Sequence, residues 1–496
     1  MDLSTGYTVS ISGVGTFTPS SSHILYLDRY PWLTYVTRFL GIPYAEPPIG
    51  DLRFQRPQPK GNLGSYAADS DPDICPQNGA DPGVQFLQIS EDCLYLNIFS
   101  PSLKKPKNLP VFIWLHGGGF NHGNIKYYSG DFLANTHGRN MIVVTVQYRL
   151  GALGFLNDGT SGAGNFGLWD QQLAIQWVKN NIRSFGGNPS KITVGGQSAG
   201  AASAIYQALY PGNAGLFQRV ISQSGTPLSY ANWAIDRNPT QLFVAFVATV
   251  GCSFQQDVYA CLRTKTVNEI VAASSALPIP YGFIPVIDGD FITDHPNTLV
   301  QQSASFHEMD LLIGDNGQDG YSYLKNTWLA AAEMQFGFDA DTNGIPRTVW
   351  ETSGIPFVTS LMVGGGPTSS AINDAVIDEF STDNPFILRE IAVQFATELA
   401  FTAPGVIVAD VHASAAASGG STYVYEFKHK PFYQLDPEWI TQAIHSDEIP
   451  SVFGYVDELK LAVGIPPDVP FPDPPPWDRE LSNMMMDMWA AFIHTG

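Results

Sequence analysis

Apolar positions along this chain fall into two alternating patterns. Val111–Leu115 and Ile142–Tyr148 are short, nearly continuous apolar runs, as expected of strands buried on both faces. Between Trp169 and Ile182 the period changes to a helical one, with Leu173, Ile175, Trp177 and Val178 set in a polar background. Ile192–Gly195 predicts a further buried strand, Ala199–Leu209 a small-residue helix and Val220–Gln223 another strand. This alternation predicts an α/β architecture with a largely parallel sheet.

The flanking regions are less regular. Residues 7–60 predict short strands and turns, ending in a Pro-rich stretch around Pro47, Pro48, Pro57 and Pro59. Residues 230–430 carry a helical stretch at Asn384–Leu399 and a polar loop at Thr359–Ser370. The sheet is expected to resume at Leu311–Gly314 and Thr422–Phe427, with a helix before residue 444. Ile465–Trp477 is too dense in proline for regular structure, and Leu481–Ile493 predicts a closing amphipathic helix. With no repeat and no hinge-like linker, 1–496 is expected to form one domain, its cap and pocket insertions mainly within 230–430.

Composition narrows the function. At ~150 residues per domain, 496 residues would suggest three units, but large α/β folds fill this length as one. Acidic residues outnumber basic ones 46 to 25, for a net charge of −21. That surface repels a phosphate backbone and an anionic bilayer, so no nucleic-acid partner is expected. No run approaches the ~18 apolar residues of a span, so no stable membrane insertion is expected. Met1–Gly6 lacks the basic and apolar regions of a signal peptide. Four cysteines form two locally close pairs, Cys75 with Cys93 and Cys252 with Cys261. Disulfides there would suit a mature secreted chain; buried free thiols are the alternative. No Asn-x-Ser/Thr acceptor with a non-Pro centre is present. Nothing in the pattern specifies an oligomeric state.

Candidate chemistry begins at Gly196-Gln197-Ser198-Ala199-Gly200, between a predicted strand and a predicted helix. A nucleophilic Ser on so sharp a turn needs small neighbours, and the helix N-terminus favours developing negative charge. His116-Gly117-Gly118-Gly119-Phe120 follows an earlier strand. Consecutive glycines let a substrate oxygen approach the backbone, which makes Gly118, Gly119 and Ala199 the natural N–H donors to an oxyanion. The base should follow the nucleophile in the order Ser, acid, His. That leaves His295, His307, His412, His429, His445 and His494, of which His445 lies in a polar loop. Asp315 and Asp319 both follow the predicted strand at 311–313, where sites of open α/β sheets collect, and the residues alone leave them tied.

At this point the chain resembles the type-B carboxylesterases, the α/β-hydrolase family of cholinesterases, carboxylesterases and fungal lipases. The resemblance rests on Phe39–Pro48, Ser90–Asn97, Trp114–Phe120, Tyr148–Phe155, Gly164–Gln171 and Gly195–Gly200, and more loosely on Gly314–Gly320 and His445–Gly454. It implies an α/β-hydrolase fold, a central mostly parallel sheet flanked by helices with large helical insertions. It implies a secreted serine carboxylesterase without metal or organic cofactor, acting on a small-molecule ester. The nucleophile falls on Ser198, the base on His445 and the acid on Asp319. The oxyanion donors fall on Gly118, Gly119 and Ala199. It also implies the pairings Cys75–Cys93 and Cys252–Cys261, and structural ion pairs Arg53–Glu91 and Arg149–Asp170.

The departures shape the expected specificity. Asp319 replaces the usual Glu, and Gln197 stands where many members have Glu, which should lower the pKa of His445 relative to theirs. The loop from Cys75 to Cys93 is short and has no Trp. Choline-binding members place an aromatic cation site there and fungal lipases a long lid, so neither choline esters nor strong interfacial activation is expected. Short- to medium-chain or aryl esters are expected instead, with long-chain lipase or sterol esterase, feruloyl-type esterase and a non-catalytic binding protein as alternatives. Members of that last kind lose the nucleophile. Phe120 and residues 230–430 are expected to wall the pockets. The chain stops soon after the helix ending near Ile493, where relatives commonly continue, so a truncated or unusually short chain is expected.

Overall fold

The runs at 111–115 and 142–146 lie side by side in the middle of one sheet. A computed structural model describes residues 8–20, 36–77, 87–101, 108–136, 138–229, 239–253, 255–277, 282–360, 369–415, 419–457 and 472–496. The N-terminal six residues, the centre of the loop from Cys75 to Cys93 and most of the Pro-dense stretch at 465–477 lie outside these.

Strands β1 (Val36–Pro43), β2 (Tyr95–Pro101), β3 (Leu109–Leu115), β4 (Ile142–Val146), β5 (Gly187–Gln197), β6 (Arg219–Gln223), β7 (Asp310–Asn316) and β8 (Thr422–Phe427) build the main sheet. Their order is β8-β7-β6-β5-β3-β4-β2-β1. Neighbours from β8 to β4 are parallel, while β2 runs antiparallel to β4 and β1 antiparallel to β2. A smaller sheet joins Val9–Ile11, Gly15–Pro19 and Ser65–Ala68. This is the α/β-hydrolase arrangement, a large mixed sheet flanked by helices.

Alternation along β3 explains its apolar run. Ile113 and Leu115 face one side, with Ala174, Ile175 and Val178 of α1 (Phe166–Asn181) and Ile205 of α2 (Ala199–Leu209). Phe112 and Trp114 face the other, in one cluster with Met485, Met486 and Trp489. A strand covered on both faces can be apolar at every position. Every residue of α2 is buried, and its alanines keep it slim enough to lie on the sheet.

Register then gathers the strand ends. Leu115 pairs with Gly196, Gln197 with Gln223 and Gln223 with Gly314. The glycine run after β3, the turn after β5 and the loop after β7 therefore leave the sheet at one edge, where α/β sheets place their ligands.

The insertions are helical. Within them α3 (Pro385–Thr397) runs through one π-helical turn into α4 (Ala403–Ser414). By length and composition this 30-residue stretch would cross a membrane. Here its apolar residues are core: Leu388, Ala392 and Val393 pack with Trp350, and Val408 and Ala409 pack beneath the sheet.

The backbone departs from the sequence expectation at two places. No helix follows β8 before residue 444; the described 428–448 backbone is turns, interrupted by Pro431 and Pro437 and pinned where Lys430 Nζ bonds the Ile440 carbonyl at 2.5 Å. The closing helix α5 spans Pro476–Thr495 and starts earlier than predicted, because proline is well suited to the first turn of a helix.

Both cysteine pairs are disulfides, Cys75–Cys93 and Cys252–Cys261. Arg53 bonds Glu91 through two nitrogens, and Arg149 does the same with Asp170, both partners almost fully buried in the second case.

Candidate active site

Ser198 links β5 to α2 with φ +59° and ψ −124°, a backbone state that non-glycine residues seldom occupy. Its backbone is held on both sides: its N–H donates to the Gln223 carbonyl at 2.8 Å, and its carbonyl accepts from Ala202 at 3.0 Å. The flanking glycines leave room for β3. A β-carbon on Gly200 would lie 1.9 Å from the Leu115 carbonyl oxygen, and one on Gly196 would lie 2.4 Å from the same atom.

The glycine run lies against this turn. A β-carbon on Gly117 would sit 3.1 Å from Ser198 Cβ. Gly118 and Gly119 take φ +108° and +59°, and a side chain on Gly118 would strike the His122 carbonyl. The N–H groups of Gly118, Gly119 and Ala199 have no hydrogen-bond partner among the described residues. Unsatisfied donors beside a strained Ser are what an oxyanion site requires.

His445 sits opposite, in the loop after β8, with Ser446 at φ +78°. Its Nδ1 donates to Asp319 Oδ1 at 2.6 Å, and Gln197 Nε2 donates towards its Nε2 at 3.2 Å. Asp319 is fully buried, and its other oxygen accepts the Asn316 N–H at 2.8 Å. Asp315 bonds Thr402 instead, and burial pushes its carboxyl up to about 6. Of the two tied carboxylates, only Asp319 reaches the imidazole. Burial pulls the His445 pKa down, but the Asp319 carboxylate, with Glu448 and Asp447, outweighs this and holds it above the ordinary imidazole value.

Two acids beside His445 escaped the sequence reading. Glu448 is fully buried and accepts from Gln223 Nε2 at 3.0 Å and Asn316 Nδ2 at 2.7 Å. Burial, then the Asp319 charge, raises its pKa. Burial also pushes Asp447 up to about 8. Gln223 in turn accepts from Trp489 Nε1 at 2.9 Å, which ties α5 to the site. The available signal was the acidic pair Asp447-Glu448, separated from the loop His by Ser446 alone.

A cavity of about 260 Å³ opens on Gly118 and Gly119. Leu150, Ala152, Leu153, Ile270 and Leu277 supply apolar wall, Ser274 and Ser275 hydroxyls, and no Asp, Glu, Lys or Arg lines it among the described residues. Phe120 is not part of this wall, contrary to expectation. It is fully buried with φ +64° and packs edge-on to Phe155 at 5.2 Å, so the turn aims it into the core. Among the described residues no group of three or more His, Cys, Asp or Glu side chains could hold a metal.

Comparison with known proteins agrees with this architecture. A family model described as the carboxylesterase family matches residues 28–496. The chain is 35% identical to acetylcholinesterase of Bungarus fasciatus, over 93% of this chain and 75% of that protein. It is 36% identical to cholinesterase of Mus musculus, over 84% and 70%. It is 34% identical to neuroligin-3 of Mus musculus, over 93% of this chain but only 58% of that protein.

Proposed function

Since the chain belongs to the carboxylesterase family, we propose that it is a serine esterase whose catalytic residues are Ser198, His445 and Asp319. The observation that carries this reading is the 2.6 Å bond from His445 Nδ1 to a buried Asp319, with a Ser held at positive φ on the neighbouring strand-to-helix turn. That bond fixes the tautomer with Nε2 as proton acceptor. Ser198 Oγ attacks the ester carbonyl as His445 Nε2 takes its proton. Gly118, Gly119 and Ala199 donate to the oxyanion, and the alcohol leaves with the proton from His445. Water then opens the acyl-enzyme by the same route.

The cavity at the oxyanion glycines supports the substrate class. Its volume of about 260 Å³ lies below the range typical of drug-sized ligands, and its lining carries no fixed charge. Short- to medium-chain or aryl esters of uncharged alcohols fit such a site better than choline, sterol or long-chain esters. The disulfides suit an extracellular protein. The test is hydrolysis of p-nitrophenyl esters from acetate to palmitate, with butyrylthiocholine alongside. The expected profile peaks at or below octanoate, with butyrylthiocholine at least tenfold slower than p-nitrophenyl butyrate in kcat/KM. A peak at palmitate moves the reading to a lipase or sterol esterase. The similarity to neuroligin-3 keeps a binding protein as second reading, which a folded chain inert on every ester would favour.

A further inference from the structure

The π-helical turn between α3 and α4, Glu398–Thr402, is an irregularity that the chemistry above leaves unused. Such turns are rare and concentrate at functional sites. Both ends of this one are tied to the segment that carries Asp319. Thr397, just before it, accepts the Gly320 N–H on Oγ1 at 2.9 Å. Thr402, its last residue, donates from Oγ1 to Asp315 Oδ2. The contact at Gly320 is tight, since a β-carbon there would lie 2.3 Å from the Thr397 nitrogen.

Between these two ties stands Phe401. Its ring lies over the His445 imidazole with centroids 4.9 Å apart and planes tilted by 37°. Asp319 holds His445 at Nδ1 and the Gln197 amide approaches Nε2, so both polar contacts lie at the ring nitrogens and the ring face is left to its packing neighbour. A flat neighbour on that face limits rotation of the ring and so restricts the direction in which Nε2 points. The electron-rich face of a phenyl ring also favours the imidazolium that forms as His445 takes the proton. Phe401, Thr402 and Asp315 all line one cavity of about 340 Å³. Phe401 also packs against the core cluster of α2 and the 152–156 segment, and the Asp315 bond to Thr402 fixes the end of the turn beside it.

We propose that Phe401 is a positioning residue for His445, and that Asp315, acting through Thr402, fixes Phe401 in place. The kinetic test rests on the esterase reading above. It compares Phe401→Leu, Phe401→Tyr, Thr402→Val, Thr402→Ser, Asp315→Ala and the double variant Thr402→Val/Asp315→Ala on p-nitrophenyl acetate, with rates per titrated active site. Phe401→Leu and Thr402→Val should each lower kcat about tenfold with KM within about twofold, because positioning acts on the transition state. Phe401→Tyr and Thr402→Ser keep the ring and the hydroxyl and should retain kcat. The double variant should be no slower than the slower single one, as for two ends of one link. A change in KM alone would make Phe401 a pocket wall, and independent losses in the double variant would separate Asp315 from Thr402; either overturns the proposal. Should the wild-type chain hydrolyse no ester, the esterase reading fails first. The His445 Cε1 carbon resonance then decides: a shift in Thr402→Val and not in Thr402→Ser supports the link, and no shift in either overturns it. Thr402 and Asp315 are partly exposed, so these variants carry the test if Phe401→Leu does not fold.

Discussion

Ser198 stands at φ +59° in a turn whose neighbours have no room for side chains. That much was legible, because a nucleophile on a strand-to-helix turn imposes small residues at fixed offsets. The acid was not. Asp315 is the penultimate residue of β7 and Asp319 lies just beyond it, and only the turn at Asn316, closed by the Asn316 N–H on Asp319, decides which carboxylate faces the imidazole. Glu448 and Asp447 were invisible for a related reason: an acidic pair after a loop His reads as solvated until burial is known. Asp319 and, as far as they ionise, these two acids set the pH dependence. Burial opposes them, but the net effect raises the His445 pKa. Catalysis needs the neutral imidazole, so activity rises with pH through that pKa. The acidic limb of kcat/KM should therefore lie above about 6.5, the ordinary imidazole value. Gln197, whose amide is 3.2 Å from His445 Nε2, carries no charge. Gln197→Glu should move the limb further up, by about one unit; an unmoved limb would show that this position has no electrostatic hold on His445.

Elements covered on both sides were the most legible. The predicted runs at 111–115, 142–148 and 192–195 all lie within or overlap sheet strands, and Ala199–Leu209 has the predicted bounds, because full burial leaves an unbroken apolar signal. Elements held by a few side-chain bonds left none, as in the turns after β8, where Lys430 caps carbonyls that a helix would have used internally. The tight seat of α2 on β3 makes a testable claim. Gly200→Ala places a methyl 1.9 Å from the Leu115 carbonyl oxygen, so α2 must move. Stability in urea should fall by at least ~2 kcal/mol, with kcat reduced as Ser198 shifts. Unchanged stability and rate would mean that the seat is loose.

For the whole molecule, the sequence correctly implied the sheet, its flanking helices and both disulfides. It misjudged a pocket wall at Phe120, whose ring is fully buried and packs edge-on to Phe155. We expect the chain to unfold as one domain, since the helical insertions share a core with α2 and the segment at 152–156. Calorimetry should give one transition, and reduction should lower its midpoint without splitting it, each disulfide contributing ~2–4 kcal/mol. A second transition would mean that the 230–430 insertions fold apart from the sheet. The proposed site, built by the strands and α2, brings together Ser198, three N–H donors that have no partner among the described residues and an imidazole oriented by Asp319. Its most direct test is the pre-steady-state release of p-nitrophenol from p-nitrophenyl acetate, comparing the natural chain with Ser198→Ala. The account predicts a burst of about one equivalent per chain that vanishes in the variant, with steady turnover down by about 10³-fold or more. A burst or undiminished turnover in Ser198→Ala would contradict it.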